Sequence, residues 1–207
     1  MGYGGDKQML FVTTNHSGKM KGMVSINTSA LNNPFCLTSH QNKNSVCSRC
    51  YSVRYERLRP TVSDRYRRNG LILSETVIEG SRIPIFNNLY VRFNSYGELV
   101  NKRHYDNLVR IAEYNDNAKF TLWTKRIDLI DVNYKPSNLK IIFSNPILDK
   151  VLYDIPKGCD GVFNVVSDID ESEVRDLGLY KCGGKKCIDC LRCYDGREIG
   201  VIVEKVK

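Results

Sequence analysis

The chain has 207 residues, enough for one domain with its own core. Hydrophobic residues make up 42% and charged residues 26%, ordinary for a globular protein, and no stretch approaches the roughly 18 apolar residues that a membrane span needs. The formal charge of +8 and a pI near 9.0 point to nucleic acid or another polyanion as a partner.

The first six residues, Met-Gly-Tyr-Gly-Gly-Asp, show no charged segment followed by an apolar one and no Ser or Thr at position 6. They match neither a secretory signal nor a myristoylation pattern, so a cytoplasmic protein is expected. In that compartment its eight cysteines stay reduced and bind metal rather than pair. Linkers, low-complexity tracts and internal repeats are absent, so residues 1–207 read as a single α/β domain.

In chain order, residues 8–14 and 22–27 read as short strands. Asn32, Asn33, Pro34 and the polar run 38–45 read as a loop carrying Cys36. Ser45 reads as the cap of a helix that starts around Cys47 and ends before Pro60, with Arg49, Arg54, Arg57 and Arg59 on its face. A second helix is expected after Ser63 and Asp64, with Arg65, Arg67 and Arg68 in its first turns and Leu71, Leu73 and Val77 toward a core. These arginines read either as a phosphate-binding surface or as a solvated basic face. Next come a strand over 88–94, an amphipathic helix over 103–115 with Tyr105, Leu108, Val109 and Ala112 on one side, and strands over 119–123, 139–143, 161–166 and 199–203. Strands recurring with helices between them predict a parallel sheet, curled into a barrel or partial barrel. The four strands from the one at 88–94 onward end in small polar or charged groups: Asn94, Ser95, Gly97 and Glu98; then Thr124 and Lys125; then Ser144 and Asn145; then Ser167 and Asp168. In parallel α/β folds the carboxyl ends of strands build the ligand site, so these residues are expected to share a pocket.

The cysteines fall into two groups and a remainder. Cys182, Cys187, Cys190 and Cys193 are spaced C-x4-C-x2-C-x2-C in a loop over 180–197. Zinc sites usually take two close pairs separated by a longer segment, whereas a four-iron four-sulfur cubane has corners far enough apart for one short loop to wrap it. Iron–sulfur is therefore expected here, with zinc or disulfides as the alternatives. Gly183 and Gly184 would let the backbone pass close to inorganic sulfide, and Lys181, Lys185, Lys186, Arg192 and Arg197 would offset cluster charge. Upstream, Cys36, Cys47 and Cys50 read C-x10-C-x2-C and leave a cubane one ligand short. Cys159, a cysteine of the C-terminal run or a small molecule could complete it; alternatively all eight cysteines join one structural site. His40 and His104 are weaker ligand or pocket candidates, and His16 reads as solvated.

Cys47, Cys50 and Tyr51, the strand Val91-Arg92-Phe93-Asn94-Ser95 with Gly97 and Glu98, the Trp123-Thr124-Lys125 strand end and the C-terminal cysteine run together resemble a little-characterised family of phage-encoded proteins, distantly related to radical S-adenosylmethionine enzymes. The resemblance spans most of the chain from Cys36 onward. It implies a barrel-like α/β fold and one or two bound four-iron four-sulfur clusters. The radical enzymes hold their cubane through C-x3-C-x2-C, and S-adenosylmethionine sits on the fourth iron; a Gly-Gly-Glu strand end contacts its amino group. This chain has the longer first spacing and reads Tyr96-Gly97-Glu98 at that strand end. The expectation is an iron–sulfur protein with an open iron for substrate or S-adenosylmethionine. Asn94, Ser95, Glu98, Lys125 and Asn145 would be its cofactor-binding residues, with Glu98, Lys125 and Asp168 as catalytic candidates, an electron donor as partner, and Cys159 counted with the seven other cysteines as metal ligands. The competing expectation is a non-catalytic iron–sulfur or zinc protein whose basic helices bind nucleic acid or a host partner.

Overall fold

A computed structural model describes residues 9–195 and 198–206. Gln8, at the start of the first expected strand, and Arg197, one of the cations of the C-terminal run, lie outside the described residues. The elements in chain order are β1 (Val12–Thr14), β2 (Val24–Ile26), α1 (Pro34–Gln41), α2 (Tyr51–Arg57), α3 (Pro60–Glu75), β3 (Tyr90–Phe93), α4 (Lys102–Tyr114), β4 (Lys119–Thr124), β5 (Leu139–Ser144), β6 (Gly161–Val166), α5 (Glu171–Asp176), β7 (Tyr180–Lys181), α6 (Cys187–Cys190) and β8 (Gly200–Lys205). They form a mixed α/β fold around one eight-stranded sheet of order β1-β2-β3-β4-β5-β6-β8-β7. Only the β1–β2 pair is antiparallel. No helix among the described residues is long and apolar enough to cross a membrane.

Strand alternation gives the sheet two unlike faces. Val91, Phe93, Phe120, Leu122, Leu139 and Ile141 pack against Ile72 and Leu73 of α3 and Tyr105, Leu108, Ile111 and Ala112 of α4. On the other face Trp123, Ile142, Phe163, Val165 and Ile202 meet Tyr180, Cys182 and Cys193, so the cysteine-rich segment covers this side. Across a flat sheet the five strand spacings from β2 to β8 would separate them by roughly 24 Å. Yet Lys19, in the β1–β2 turn, pairs with Glu204 of β8 at 2.7 Å, and the Cys187 N–H donates to the Lys19 carbonyl at 2.8 Å. The sheet is thus bent until its ends approach across the C-terminal cysteines, although β1 and β7 are not themselves paired among the described residues.

Buried asparagines fasten the connections to this frame. Asn69 accepts from the Phe11 N–H and donates to the carbonyls of Phe11 and Asn27. Asn107 does the same for Ile78, Leu73 and Thr76, and Asn115 for Phe86, Pro84 and Ile111. Each satisfies backbone groups that irregular chain would otherwise bury unpaired.

The helical region before β3 differs from the sequence expectation in three ways. Cys36 lies on a helix, α1, because Asn33 accepts from the Phe35 N–H as a cap and Pro34 supplies the first helical residue. Ser45 caps only a 3-10 turn, Val46–Arg49; Cys50 is extended, with ψ 115°, and α2 starts after it. Finally, α3 begins at Pro60 rather than after Asp64, and buries Tyr66, Asn69, Ile72 and Leu73. Leu71 is two residues from Leu73, about 200° round a helix, so it points outward. It is 41% exposed, as is Val77 beyond the helix end. The short elements α5, β7 and α6 were not expected from periodicity, being too short to show any.

Leu73 has no exposed surface, so Leu73→Ala should cost about 3 kcal/mol in urea unfolding, whereas Leu71→Ala should cost less than about 1 kcal/mol.

Candidate functional site: two cysteine sets on one cavity

The site is built from the turn that ends β3. Asn94 takes a left-handed backbone, φ 56°, and Gly97 has φ 79°. A Cβ on Gly97 would run into the Thr28 carbonyl, so only glycine lets the turn close on the loop after β2. Glu98 is buried behind it. Its Oε1 accepts from the Leu99 N–H at 2.8 Å and the Thr124 hydroxyl at 2.6 Å; its Oε2 accepts from the Lys125 N–H at 2.7 Å. Burial pushes the Glu98 carboxyl up, against the lowering effect of Lys125 and these donors. The carboxylate therefore welds the end of β3 to the end of β4. Asn27 accepts from the Tyr96 N–H, Asn33 donates to the Glu98 carbonyl, and the Tyr51 hydroxyl donates to the Ser95 carbonyl at 2.5 Å. That last bond ties the segment after Cys50 to the same turn.

Cys36, Cys47 and Cys50 gather over this turn from α1, the 3-10 turn and the break before α2. The Cys47 N–H donates to Ser45 Oγ, and His40 Nδ1 stands 2.8 Å from the Cys47 carbonyl. His40 thus braces the backbone of the set. Burial raises the Cys36 and Cys47 thiols; the neighbouring thiols and Glu98 add to this, while Lys125 opposes it. For Lys125 itself burial acts downward, but Cys47, Glu98, Cys36 and Cys50 outweigh it and hold the ammonium above its usual value. Lys125 Nζ also donates to Ser144 Oγ at 3.1 Å.

The C-terminal set forms where the sheet ends approach. The Cys182 N–H donates to the Val203 carbonyl, and its Sγ receives Lys19 Nζ at 3.4 Å. Tyr180 Oη lies 3.1 Å from Cys190 Sγ, with the Arg192 guanidinium over the Tyr180 ring. Burial pushes Cys193 up to about 12, with Arg92 opposing and Cys182, Cys187 and Cys190 adding, so the four thiols are near neighbours. Gly183 has φ 128° and open space where a side chain would be.

All seven of these cysteines line one cavity of about 660 Å³. Asn94, Ser95, Glu98, Lys125 and Ser144 line it too. Asn94 Nδ2 and Ser95 Oγ, on residues only 5% and 6% exposed, have no hydrogen-bond partner among the described residues. Such atoms are costly unless a ligand or water meets them.

Other expected residues lie elsewhere. Asn145 donates to the Lys150 carbonyl and Asn164 and accepts from the Ile147 N–H; it is not on the cavity wall. Asp168 is exposed and pairs with Lys205 at 2.6 Å. Cys159 precedes β6 and packs at the helix-covered core, where burial pushes its thiol up to about 11 and Asp160 adds to the rise. His104 is fully buried on α4, accepts from the Val100 N–H, and is not on the cavity wall. His16 is exposed in the β1–β2 turn. Sequence reading missed Arg92, Trp123, Tyr194 and Lys19, which also line the cavity. The signal was present in β3, where a charged residue, Arg92, sits between Val91 and Phe93.

Among the described residues no three His, Cys, Asp or Glu side chains converge as ligands of one metal ion. No protein-family model matches the chain, and neither a curated protein nor a solved structure matches it.

Gly97→Ala should destabilise the protein by about 2 kcal/mol or more in urea unfolding, since both φ and the Thr28 contact oppose a side chain. Burial pushes the His104 imidazole down to about 3, against about 6.5 when unfolded. The unfolded chain then binds a proton that the folded chain refuses, so this share of stability is full above about pH 6.5 and is lost as pH falls toward 3. His104→Gln, which can still accept from Val100, should flatten the fall of the urea midpoint between about pH 6.5 and 4 by close to one proton's slope.

Proposed function

We propose that the chain is a redox-active iron–sulfur protein with two unequal sites on one ligand cavity, and that its curved sheet is a partial barrel of the radical-enzyme type. Cys182, Cys187, Cys190 and Cys193 would hold all four corners of one cubane. Cys36, Cys47 and Cys50 would hold three corners of a second and leave one iron for a small molecule, with S-adenosylmethionine as the ligand that the family resemblance implies. The observation that carries this reading is the asymmetry of the cavity wall: four thiols in one set, three in the other, and Lys125, Asn94 and Ser95 beside the three. Cys159 packs at the other face of the sheet. The C-x4-C-x2-C-x2-C spacing of the C-terminal set suits a core with several metal corners better than one zinc ion.

When bound, such clusters supply one-electron transfer. The chain's own part is to position and to neutralise. Lys125 offers a positive charge beside the three-cysteine set, which favours the thiolate form of Cys36 and Cys47 and an anionic group on a ligand. Asn94 and Ser95 offer hydrogen bonds at the same wall. Glu98 spends its carboxylate on the protein, so its work is to set the turn rather than to move protons.

A second reading draws on the exposed Arg49, Arg54, Arg57, Arg59 and Arg65 beside the cavity and along α2 and α3. Arg67 and Arg68 share Asp64 as a partner, but the others form a basic surface suited to nucleic acid. On that reading the cysteines are structural.

Anaerobically isolated protein should be brown, absorb near about 400 nm, and contain roughly eight irons and eight sulfides per chain. Cys187→Ser with Cys190→Ser should remove about half the iron, Cys36→Ser the other half, and Cys159→Ser none. The EPR spectrum of the reduced protein should change on adding S-adenosylmethionine, and less so in Lys125→Met. A colourless protein with stoichiometric zinc, or loss of a whole cluster in Cys159→Ser, would overturn the open-site reading.

A further inference from the structure

The same cavity holds a further group of unpartnered polar atoms, centred on Arg92. Arg92 and Trp123 occupy neighbouring strands on the inner face, and the Arg92 guanidinium stacks over the Trp123 ring at 4.1 Å. Both residues line the cavity. Arg92 has no carboxylate partner among the described residues; its only side-chain hydrogen bond is from Nη1 to the Met20 sulfur, a weak acceptor, at 3.8 Å. Its Nε is buried with no acceptor, and so is the Trp123 indole N–H. Asn94 Nδ2, in the turn just past the end of β3, is a third buried donor without an acceptor among the described residues.

Among the described residues only the weakly accepting Met20 sulfur meets this cation and its neighbouring donors. An unmet buried donor is destabilising, and an uncompensated buried charge more so. Stacking on an indole fixes the guanidinium plane and leaves its edge for a planar or tetrahedral oxyanion, the pairing for which guanidinium geometry is suited. The acidic lining residues cannot serve: Glu98 is bound by Leu99, Thr124 and Lys125, and Glu204 is paired with Lys19.

We infer that Arg92, with Trp123 Nε1 and Asn94 Nδ2, forms an oxyanion subsite that holds the carboxylate or phosphate of a small-molecule substrate between the two cysteine sets. Remote anchoring of this kind fixes the uncharged part of a substrate near the three-cysteine wall, where positioning contributes most. The subsite stands on donor chemistry and does not depend on metal at the cysteines. Arg92 also opposes the rise of the Cys187 and Cys193 thiols, so a role confined to those cysteines is the competing account that the test must separate.

Trp123 is the single tryptophan of the chain, so its fluorescence reports on this spot alone. Full-length protein would be titrated with sodium phosphate and, separately, with sodium acetate at constant ionic strength, with sodium chloride as control, followed by Trp123 fluorescence and by calorimetry. A saturable response to phosphate alone marks a phosphate-bearing substrate, and one to acetate a carboxylate. Arg92→Gln should weaken binding at least about tenfold with iron content unchanged, Arg92→Lys less, and the surface variant Arg110→Gln not at all. Trp123→Phe, which keeps a ring under the guanidinium and removes the N–H, should weaken binding severalfold by calorimetry and covers the case in which Arg92→Gln fails to fold. No saturable response to either anion, or equal affinity in the Arg92 and Trp123 variants, overturns the inference. Loss of iron in Arg92→Gln with anion affinity unchanged also overturns it and assigns Arg92 to the C-terminal cysteines. A protein free of iron that still binds anion through Arg92 leaves the subsite standing and removes the redox reading instead.

Discussion

The Glu98 carboxylate is the point on which the rest of the site depends. Placed in the interior, it is stable there only because three donors from three residues converge on it. Two of them, the Thr124 hydroxyl and the Lys125 N–H, come from the end of the neighbouring strand. Holding that carboxylate therefore fixes where β4 stops and where Lys125 leaves the sheet. The same turn needs Gly97 against Thr28 and places Asn94 and Ser95 with unmet polar atoms facing the cavity. Backbone strain, a buried charge and unpaired donors occur together within five residues, and such concentrations of cost are characteristic of functional sites.

The fold divides its labour between the two faces of one sheet. The helix-covered face is a conventional apolar core fastened by asparagines. The other face carries Arg92, Thr121 and Trp123 among its apolar residues and is covered by a short cysteine-rich segment rather than by a long helix. That segment has little regular structure of its own: a two-residue strand, a four-residue helix and Leu191 in the left-handed region. Among its anchors to the rest of the chain are the Cys182 and Cys187 amides, the Tyr90–Tyr194 ring contact and the Lys19 bridge. A segment with so little regular structure would gain stability from any metal its thiols bind, because binding and ordering are then coupled.

Electrostatics follows the same division. Burial pushes the Cys36, Cys47, Cys187 and Cys193 thiols up, toward the neutral form. Lys125 opposes this at one set, and Arg92 and Lys19 at the other. Some of the cationic side chains behind the net charge of +8 therefore sit at the cysteines, while others, among them the arginines of α2 and α3, are presented to solvent. A basic composition alone does not separate these two uses.

Local signals in the sequence were enough to determine the α/β class, the sites of strands β2 to β6 and β8, the amphipathic α4 and the two cysteine groupings, since each rests on short-range periodicity or spacing. The strand ends at Ser95, Glu98 and Lys125 were legible for the same reason: in a parallel sheet a strand's direction fixes where its last residue points. Asn145 and Asp168 were equally good candidates on that rule and do not face the cavity, because Asn145 is consumed by Lys150, Asn164 and Ile147 and Asp168 by Lys205. Which polar strand end is free and which is spent depends on residues that meet it through space, so only the tertiary structure could decide it. The same holds for Cys36, whose Asn33-Pro34 cap signal was present but read as a loop, and for the bend of the sheet, which brings Lys19 to Cys182 across 163 residues of chain. Arg92, Trp123 and Tyr194 acquire meaning only once that bend encloses a cavity, because a position on a strand fixes the face a side chain takes but not what lies opposite it.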